Sequence, residues 1–126
     1  MQFTHPSENF DFEIPDDWWI AGNALQFDLK SKSFFASSIT EWPTKVVAIS
    51  QVAAPRRDPG VEGLREKRTI AILQAITSGV ALPALEVYFE SNSNCMAVRD
   101  GFHRYYISIA LGFSMVPVSV RPYYIF

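Results

Sequence analysis

The segment from Val98 to Tyr106 concentrates residue types that bind anions. It reads Val-Arg-Asp-Gly-Phe-His-Arg-Tyr-Tyr and passes from a predicted strand through an Asp-Gly turn into a predicted helix. The first amides of a helix have no partner within it and lie at the positive end of its dipole, so anions bind there. A glycine at the turn lets a phosphate approach the backbone closely. The pattern predicts a phosphate site at positions 101–104.

Side chains around this turn supply further donors and two candidate catalytic groups. The predicted phosphate-binding residues are Gly101, Phe102, His103, Arg104, Arg56 and Arg57. The planar guanidinium of Arg104 matches phosphate oxygens. Asp100 and His103 are the candidate catalytic residues, because Asp100 could orient the imidazole or act as a metal ligand. The plainer alternative, a simple turn with Arg104 as a surface charge, remains open.

Strands and helices that position the turn are predicted from periodicity. Alternating or β-branched runs predict strands at 10–14, 45–49, 85–90, 95–98 and 116–120, with a turn at 91–94 and a loop at 55–60. Helices are predicted at 61–78 and 102–111, each followed by a glycine. The first of these should bury one apolar face, formed by Leu64, Ala71, Ile72, Ala75 and Ile76. The fold class is therefore α+β, a small mixed sheet packed with helices.

Basic residues of the first predicted helix are expected to face water. Arg65, Lys67 and Arg68 interleave with glutamates, which is typical of ion pairs on a solvated helix face. Tyr105 and Tyr106 lie on the second predicted helix, where they either pack in the core or stack against bases.

Residues 1–44 differ in composition from the rest of the chain. They carry two lysines against seven acids, a net charge of −5, whereas residues 45–126 carry nine bases against six acids, a net of +3. They also hold nine of the 18 aromatic residues. A short helix is predicted between Pro15 and Gly22, and a hairpin whose arms are 25–29 and 33–36. We expect this β-rich segment to fold onto the core, where it is available as a protein interface or a homodimer arm.

Composition also excludes several classes of protein. With 126 residues, 48% of them hydrophobic, the chain suits a single domain spanning 1–126 and is unlike a disordered protein. Its apolar runs are far shorter than the roughly 20 residues of a membrane span, and its N-terminus lacks the layout of a signal peptide. A single cysteine, Cys95, excludes an internal disulfide and fits a reducing cytoplasm. The two histidines form no zinc-ligand spacing.

Several of these motifs occur together in one known superfamily. The series Gly79-x-x-Leu82-Pro83-x-Leu85-Glu86-Val87, a hairpin, Asp100-Gly101-x-His103-Arg104-Tyr105, Gly112 and Val116-Pro117-Val118 resembles the ParB/sulfiredoxin superfamily. The chain looks most like a stand-alone ParB-like N-terminal domain, a type that includes members described as nucleases. The resemblance covers roughly residues 45–121, so 45–126 would be a ParB-like core and 1–44 an added N-terminal extension.

The resemblance implies a nucleotide or nucleic-acid phosphate on the Gly101 turn. The expected ligand is either a nucleoside triphosphate accompanied by Mg²⁺, with Asp100 helping to hold the metal, or DNA. The expected activity is phosphoryl transfer or nuclease activity. Sulfiredoxins have a reactive cysteine, and ParB-type CTPases a glutamate, at the position of Phe102 in this chain. This departure makes CTP hydrolysis or sulfinic-acid reduction an unfit expectation and motivates the alternative, a catalytically inactive interaction or DNA-binding module that dimerises or binds a protein partner through residues 1–44.

Overall fold

In the computed structural model, which describes residues 1–37, 42–90 and 94–122, the chain forms two β-sheets and three α-helices. The strands are β1 (Gln2–Thr4), β2 (Asp11–Glu13), β3 (Thr44–Ala48), β4 (Leu85–Phe89), β5 (Met96–Asp100) and β6 (Met115–Val120). The helices are α1 (Asp16–Ala21), α2 (Glu66–Thr77) and α3 (Phe102–Ala110). Short 3-10 turns span Ala24–Gln26 and Ile49–Gln51.

The larger sheet is mixed, as the sequence predicts. Its strand order within the described residues is β3-β6-β4-β5, with β4 parallel to β6 and the two outer pairs antiparallel. The central strand β6 is rich in valine, and Val116 and Val118 are fully buried. On the edge strand β3, by contrast, Lys45 and Val46 are exposed. The predicted α+β class is confirmed.

Helix α3 connects β5 to β6 and lies in the centre of the core. Tyr105 and Ile107 on this helix are fully buried, together with Leu73 of α2 and Leu85 of β4. Burying these side chains supplies the main driving force for folding. The start of α3 is therefore held in place by the core on one side, which matters for the site described below.

Helix α2 begins later than predicted. It starts at Glu66 rather than at 61, because Arg65 has extended backbone angles and its amide bonds to a side chain of α3 instead of a helical carbonyl. Its buried face is also shifted: the buried residues are Thr69, Ile72, Leu73 and Ile76. Ala71 is exposed and Leu64 precedes the helix. The shift follows from α1, whose terminal Gly22 packs so closely on Leu73 that a Cβ there would lie 2.4 Å from Leu73 Cβ.

Residues 1–37 pack against the core, and part of their predicted structure is confirmed. β1 and β2 form an antiparallel pair that includes part of the predicted 10–14 strand, and α1 runs between Pro15 and Gly22 as expected. Trp19 is buried whereas Trp18 is partly exposed.

The predicted hairpin of 25–29 and 33–36 is wrong. Its backbone groups bond to other parts of the chain: the carbonyl of Lys32 accepts a bond from the Met115 amide, and Ala36 bridges to Leu82. Phe27 packs edge-on against Phe113, with ring centroids 5.8 Å apart. These tertiary contacts replace the local pairing that the alternation suggested.

Part of the predicted turn at 91–94 lies outside the described residues. Within the described ranges, no helix combines the length and apolar character needed to cross a membrane.

Candidate functional site

A pocket of about 240 Å³ lies where α2 and α3 begin. Among the described residues its charged and polar lining consists of Arg57, Arg65, Arg68, Arg104, Asp100 and His103, and Gly101 and Phe102 complete it. We call it the basic pocket. Four guanidinium groups and one carboxylate give this part of the described chain a local charge of +3 when His103 is neutral. The predicted turn thus lies in a concave and strongly cationic site.

The backbone of the turn has the geometry that the sequence predicts. Gly101 precedes α3 with φ +129°, and a Cβ at this position would lie 2.6 Å from Leu85 Cγ. The first helical hydrogen bond runs from the Tyr105 amide to the Gly101 carbonyl. The amides of residues 102–104 precede that bond, so they point toward the positive end of the helix dipole. Glycine is required here by both conformation and space.

Arg104 is a buried cation with incomplete hydrogen bonding. The residue is 6% exposed, and its Nε has no hydrogen-bond partner among the residues that the structure describes. Its Nη2 is 3.4 Å from the Ala84 carbonyl and 3.9 Å from the carboxylate of Asp100. Burial lowers the pKa of the guanidinium, although an arginine remains charged at neutral pH. A buried hydrogen-bond donor without an acceptor makes the folded protein less stable. An anion in the pocket would place a negative charge and acceptor oxygens near the Arg104 guanidinium.

His103 is neutral and connects the two helix starts. Its Nε2 accepts a 2.9 Å hydrogen bond from the Arg65 amide, so the ring proton lies on Nδ1. Burial, together with the smaller effect of the positive arginines of the pocket, lowers the pKa of the imidazole to about 4. Nε2 is engaged and Nδ1 carries a proton, so the ring has no free lone pair. This arrangement suits a structural donor and acceptor better than a general base.

Asp100 lies at the rim of the pocket. Its side chain is 59% exposed and 3.9 Å from the Arg104 guanidinium. In residues 1–37, 42–90 and 94–122, no cluster of three His, Cys, Asp or Glu side chains has an arrangement that could hold a metal ion. Asp100 alone suits Mg²⁺ only as a companion of bound phosphates, because Mg²⁺ commonly combines one or two carboxylates with substrate oxygens.

The neighbouring loop residues Arg56 and Arg57 contact different parts of the molecule. Arg57 lines the basic pocket, and its guanidinium lies 4.3 Å from the centre of the Phe102 ring. Arg56 is not among the lining residues described. Instead it lies 3.6 Å from the Glu8 carboxylate and 4.4 Å from the ring centre of Phe10. The structure therefore brings together every predicted site residue except Arg56.

Arg65 and Arg68 are the site residues that the sequence interpretation missed. The expectation of ion pairs on a solvated face holds in part, since Arg65 is 3.5 Å from Glu62. Both arginines nevertheless line the basic pocket, because α2 begins beside α3. Arg65 ends a glycine-containing loop and Arg68 lies in the first turn of α2. Two arginines three residues apart at a helix start are the sequence signal that could have identified them.

Comparison of the chain with protein-family models, curated proteins and solved structures finds no match. The resemblance to the ParB/sulfiredoxin superfamily accordingly stays a prediction from the motifs quoted above.

Proposed function

We propose that the protein binds a phosphorylated ligand, a nucleotide or a nucleic-acid phosphate, with the phosphate in the basic pocket. The observation that carries the proposal is the convergence of several guanidinium groups on the start of α3, one of them the buried and under-bonded Arg104. Guanidinium groups bind phosphate oxygens in a planar, two-point geometry. Backbone amides at a helix start supplement them.

The compact grouping of the basic side chains favours a nucleotide over a nucleic-acid backbone. The basic side chains gather in one pocket rather than in a stripe along the surface. A protein that follows a polynucleotide backbone generally has an extended basic face and a high isoelectric point. This chain has a sequence isoelectric point of about 5.6. DNA binding is therefore the second candidate, and its salt dependence distinguishes it.

The proposal is for binding rather than turnover. His103 has no free lone pair to take a proton, and Phe102 supplies no carboxylate next to it. A nucleoside triphosphate accompanied by Mg²⁺ would meet one carboxylate, Asp100, among the described lining residues. Catalysis by Asp100 and His103 has less support than the simpler role of holding a phosphate.

The test uses two adjacent arginines as a matched pair. Binding of pyrophosphate and of a panel of nucleoside triphosphates is measured by calorimetry for the wild type, Arg57→Gln and Arg56→Gln. We expect Arg57→Gln to weaken binding roughly tenfold or more, the value of one charged hydrogen bond, and Arg56→Gln to change it less than twofold. Equal loss in both variants, or no binding of any of these anions to the wild type, contradicts the proposal.

The DNA alternative has its own measurement. A labelled single- or double-stranded oligonucleotide is titrated at low and at physiological salt. Affinity for oligonucleotides that exceeds the nucleotide affinity and falls steeply with salt would favour a backbone-binding protein. Undetectable binding at low salt would exclude it.

A further inference from the structure

A second pocket, of about 370 Å³, lies beside the basic pocket and shares Phe102 with it. Apolar and aromatic side chains dominate its lining: Phe10, Phe12, Trp18, Leu64, Phe102 and Tyr106. We call it the aromatic pocket. Its neighbour is cationic, so two pockets of contrasting chemistry share one phenylalanine.

The aromatic pocket is held open by packing between its own rings. Phe12 and Phe102 both contact Tyr106, each with ring centroids 5.0 Å apart. Phe12 also stacks on Phe3, with centroids 5.6 Å apart. Rings supported in this way keep their positions, which is what a preformed ligand site requires.

The two pockets adjoin at Phe102. Arg57 lies over the ring of Phe102, so a cation borders the shared wall. A further depression is lined by Trp18 and Leu64, which belong to the aromatic pocket, and by Arg65 and Arg68, which belong to the basic one. Glu62, Glu66 and Lys67 complete its lining. The two pockets therefore adjoin at Phe102 and also border one shared depression.

We propose that one nucleoside phosphate occupies both pockets, with its phosphate in the basic pocket and its base in the aromatic pocket. The inference rests on the proposed function and adds the second half of the ligand. Three of the five aromatic residues named come from residues 1–44, so this segment, which the resemblance to known domains does not cover, would select the ligand.

The chemistry of the aromatic pocket favours a base over a hydrocarbon chain. Aromatic faces stack against any base. Glu13 also lines the pocket; its side chain is largely exposed, and its carboxylate lies 3.8 Å from the N-terminal ammonium. A hydrocarbon chain has no donor to offer this carboxylate. An amino group on a base would donate to it instead.

The experiment compares ligands that share a phosphate and differ in the ring. Dissociation constants are measured for adenosine and cytidine monophosphates, ribose 5-phosphate, phenyl phosphate and pyrophosphate. We expect the better of the two nucleotides to bind about tenfold tighter than ribose 5-phosphate, the gain from stacking one base. It should also quench the fluorescence of Trp18, a signal that Trp18→Phe removes and ribose 5-phosphate does not produce.

Matched variants assign the gain to the aromatic pocket. Phe12→Leu should bring nucleotide affinity down to that of ribose 5-phosphate while leaving ribose 5-phosphate and pyrophosphate unchanged. Phe27→Leu is the control, since Phe27 is also partly buried and packs against Phe113 on another part of the molecule. The same loss of nucleotide affinity in both variants would overturn the inference.

The outcomes separate this inference from the proposed function. Pyrophosphate binding that depends on Arg57, with nucleotides no tighter than ribose 5-phosphate, overturns the base site and keeps the phosphate site. No binding of pyrophosphate or of any monophosphate overturns both. Phenyl phosphate binding as tightly as the nucleotides would replace the nucleobase with a simple aryl phosphate and so overturn the proposed ligand class.

Discussion

His5 and Tyr105, one hundred residues apart, are joined by a buried hydrogen bond of 2.7 Å between the imidazole Nε2 and the phenolic oxygen. The direction of this bond is fixed by the neighbouring groups. His5 Nδ1 accepts bonds from the amides of Ser7 and Glu8, so Nε2 carries the proton and donates to the phenol. The phenol in turn donates to the Val52 carbonyl at 3.3 Å. This chain of bonds fastens the N-terminal segment to α3, the helix that begins at the basic pocket.

Removing the Tyr105 hydroxyl should destabilise the protein strongly, although the substitution removes only one oxygen atom. Tyr105→Phe keeps the ring in the core but leaves the His5 Nε2 proton and the Val52 carbonyl without their partner. An unsatisfied buried polar group costs about 1–3 kcal/mol, so we expect a loss of that size in the free energy of unfolding. Urea denaturation followed by fluorescence measures it.

Tyr106→Phe is the control for this prediction. The Tyr106 hydroxyl donates a single 2.8 Å bond to the Pro55 carbonyl in a partly buried setting, where water can replace it. Its loss should be smaller than that of Tyr105→Phe. Equal losses in the two variants would show that the connection between His5 and Tyr105 has no special role in stability.

Local patterns were sufficient for most of the large sheet and for α3. The runs at 45–49, 85–90 and 116–120 are β-branched and bounded by turns, and each became a strand of the sheet. Sequence patterns failed to predict the structure where contacts with residues distant in the sequence determine it. The alternation at 25–29 suggested a strand, but Phe27 and Lys32 have their partners at Phe113 and Met115. Periodicity carries no information about such pairings.

The site shows the same division between local and distant information. The turn at Gly101 and the donors at His103 and Arg104 lie within four residues of the sequence, so their proximity was predictable. Arg65 reaches the pocket because its amide is bonded to His103, 38 residues away. Arg56 and Arg57 are adjacent and alike in sequence, and contacts with distant residues separate them: Arg56 lies against Glu8 and Phe10, and Arg57 lies over Phe102. The aromatic pocket depends on where residues 1–37 pack, which composition alone did not locate.

Gly101→Ala should be destabilising for two separable reasons. Positive φ strains any residue with a Cβ, and the added Cβ would lie 2.6 Å from Leu85 Cγ. We expect a loss of about 2–4 kcal/mol, in which backbone strain contributes about 1–2 kcal/mol and the overlap with the core most of the rest. Chemical denaturation measures the total.

Gly60→Ala isolates the conformational part of that loss. Gly60 also has positive φ, at +89°, but no atom lies within 4 Å of an added Cβ. Its substitution should therefore cost only about 1–2 kcal/mol. If the two variants lose equal stability, contact with Leu85 is not what requires a glycine before α3.

Arg104→Met should stabilise the ligand-free protein while removing phosphate binding. Arg104 is a buried cation whose Nε has no hydrogen-bond partner among the described residues, and its nearest described carboxylate is 3.9 Å away. Replacing a buried charge with an apolar side chain of similar volume is often stabilising, by about 1–4 kcal/mol. Unfolding is measured with and without saturating pyrophosphate. Ligand should stabilise the wild type and leave the variant unchanged. A less stable variant that still binds pyrophosphate would contradict this role.

The stability of the protein should fall as the pH drops from about 6.5 toward 4, partly because of His103. Its pKa is lowered to about 4 in the folded protein, from an ordinary value of 6.5. Between these values the unfolded chain binds the proton and the folded protein does not, so acid favours unfolding.

In His103→Gln, the amide oxygen can still accept the Arg65 bond but does not titrate. The urea midpoint of this variant should therefore change less between pH 7 and pH 4 than that of the wild type. His5, whose pKa is also lowered by burial, leaves a residual slope of the same sign. Identical slopes in the two proteins would show that His103 is not the group that titrates.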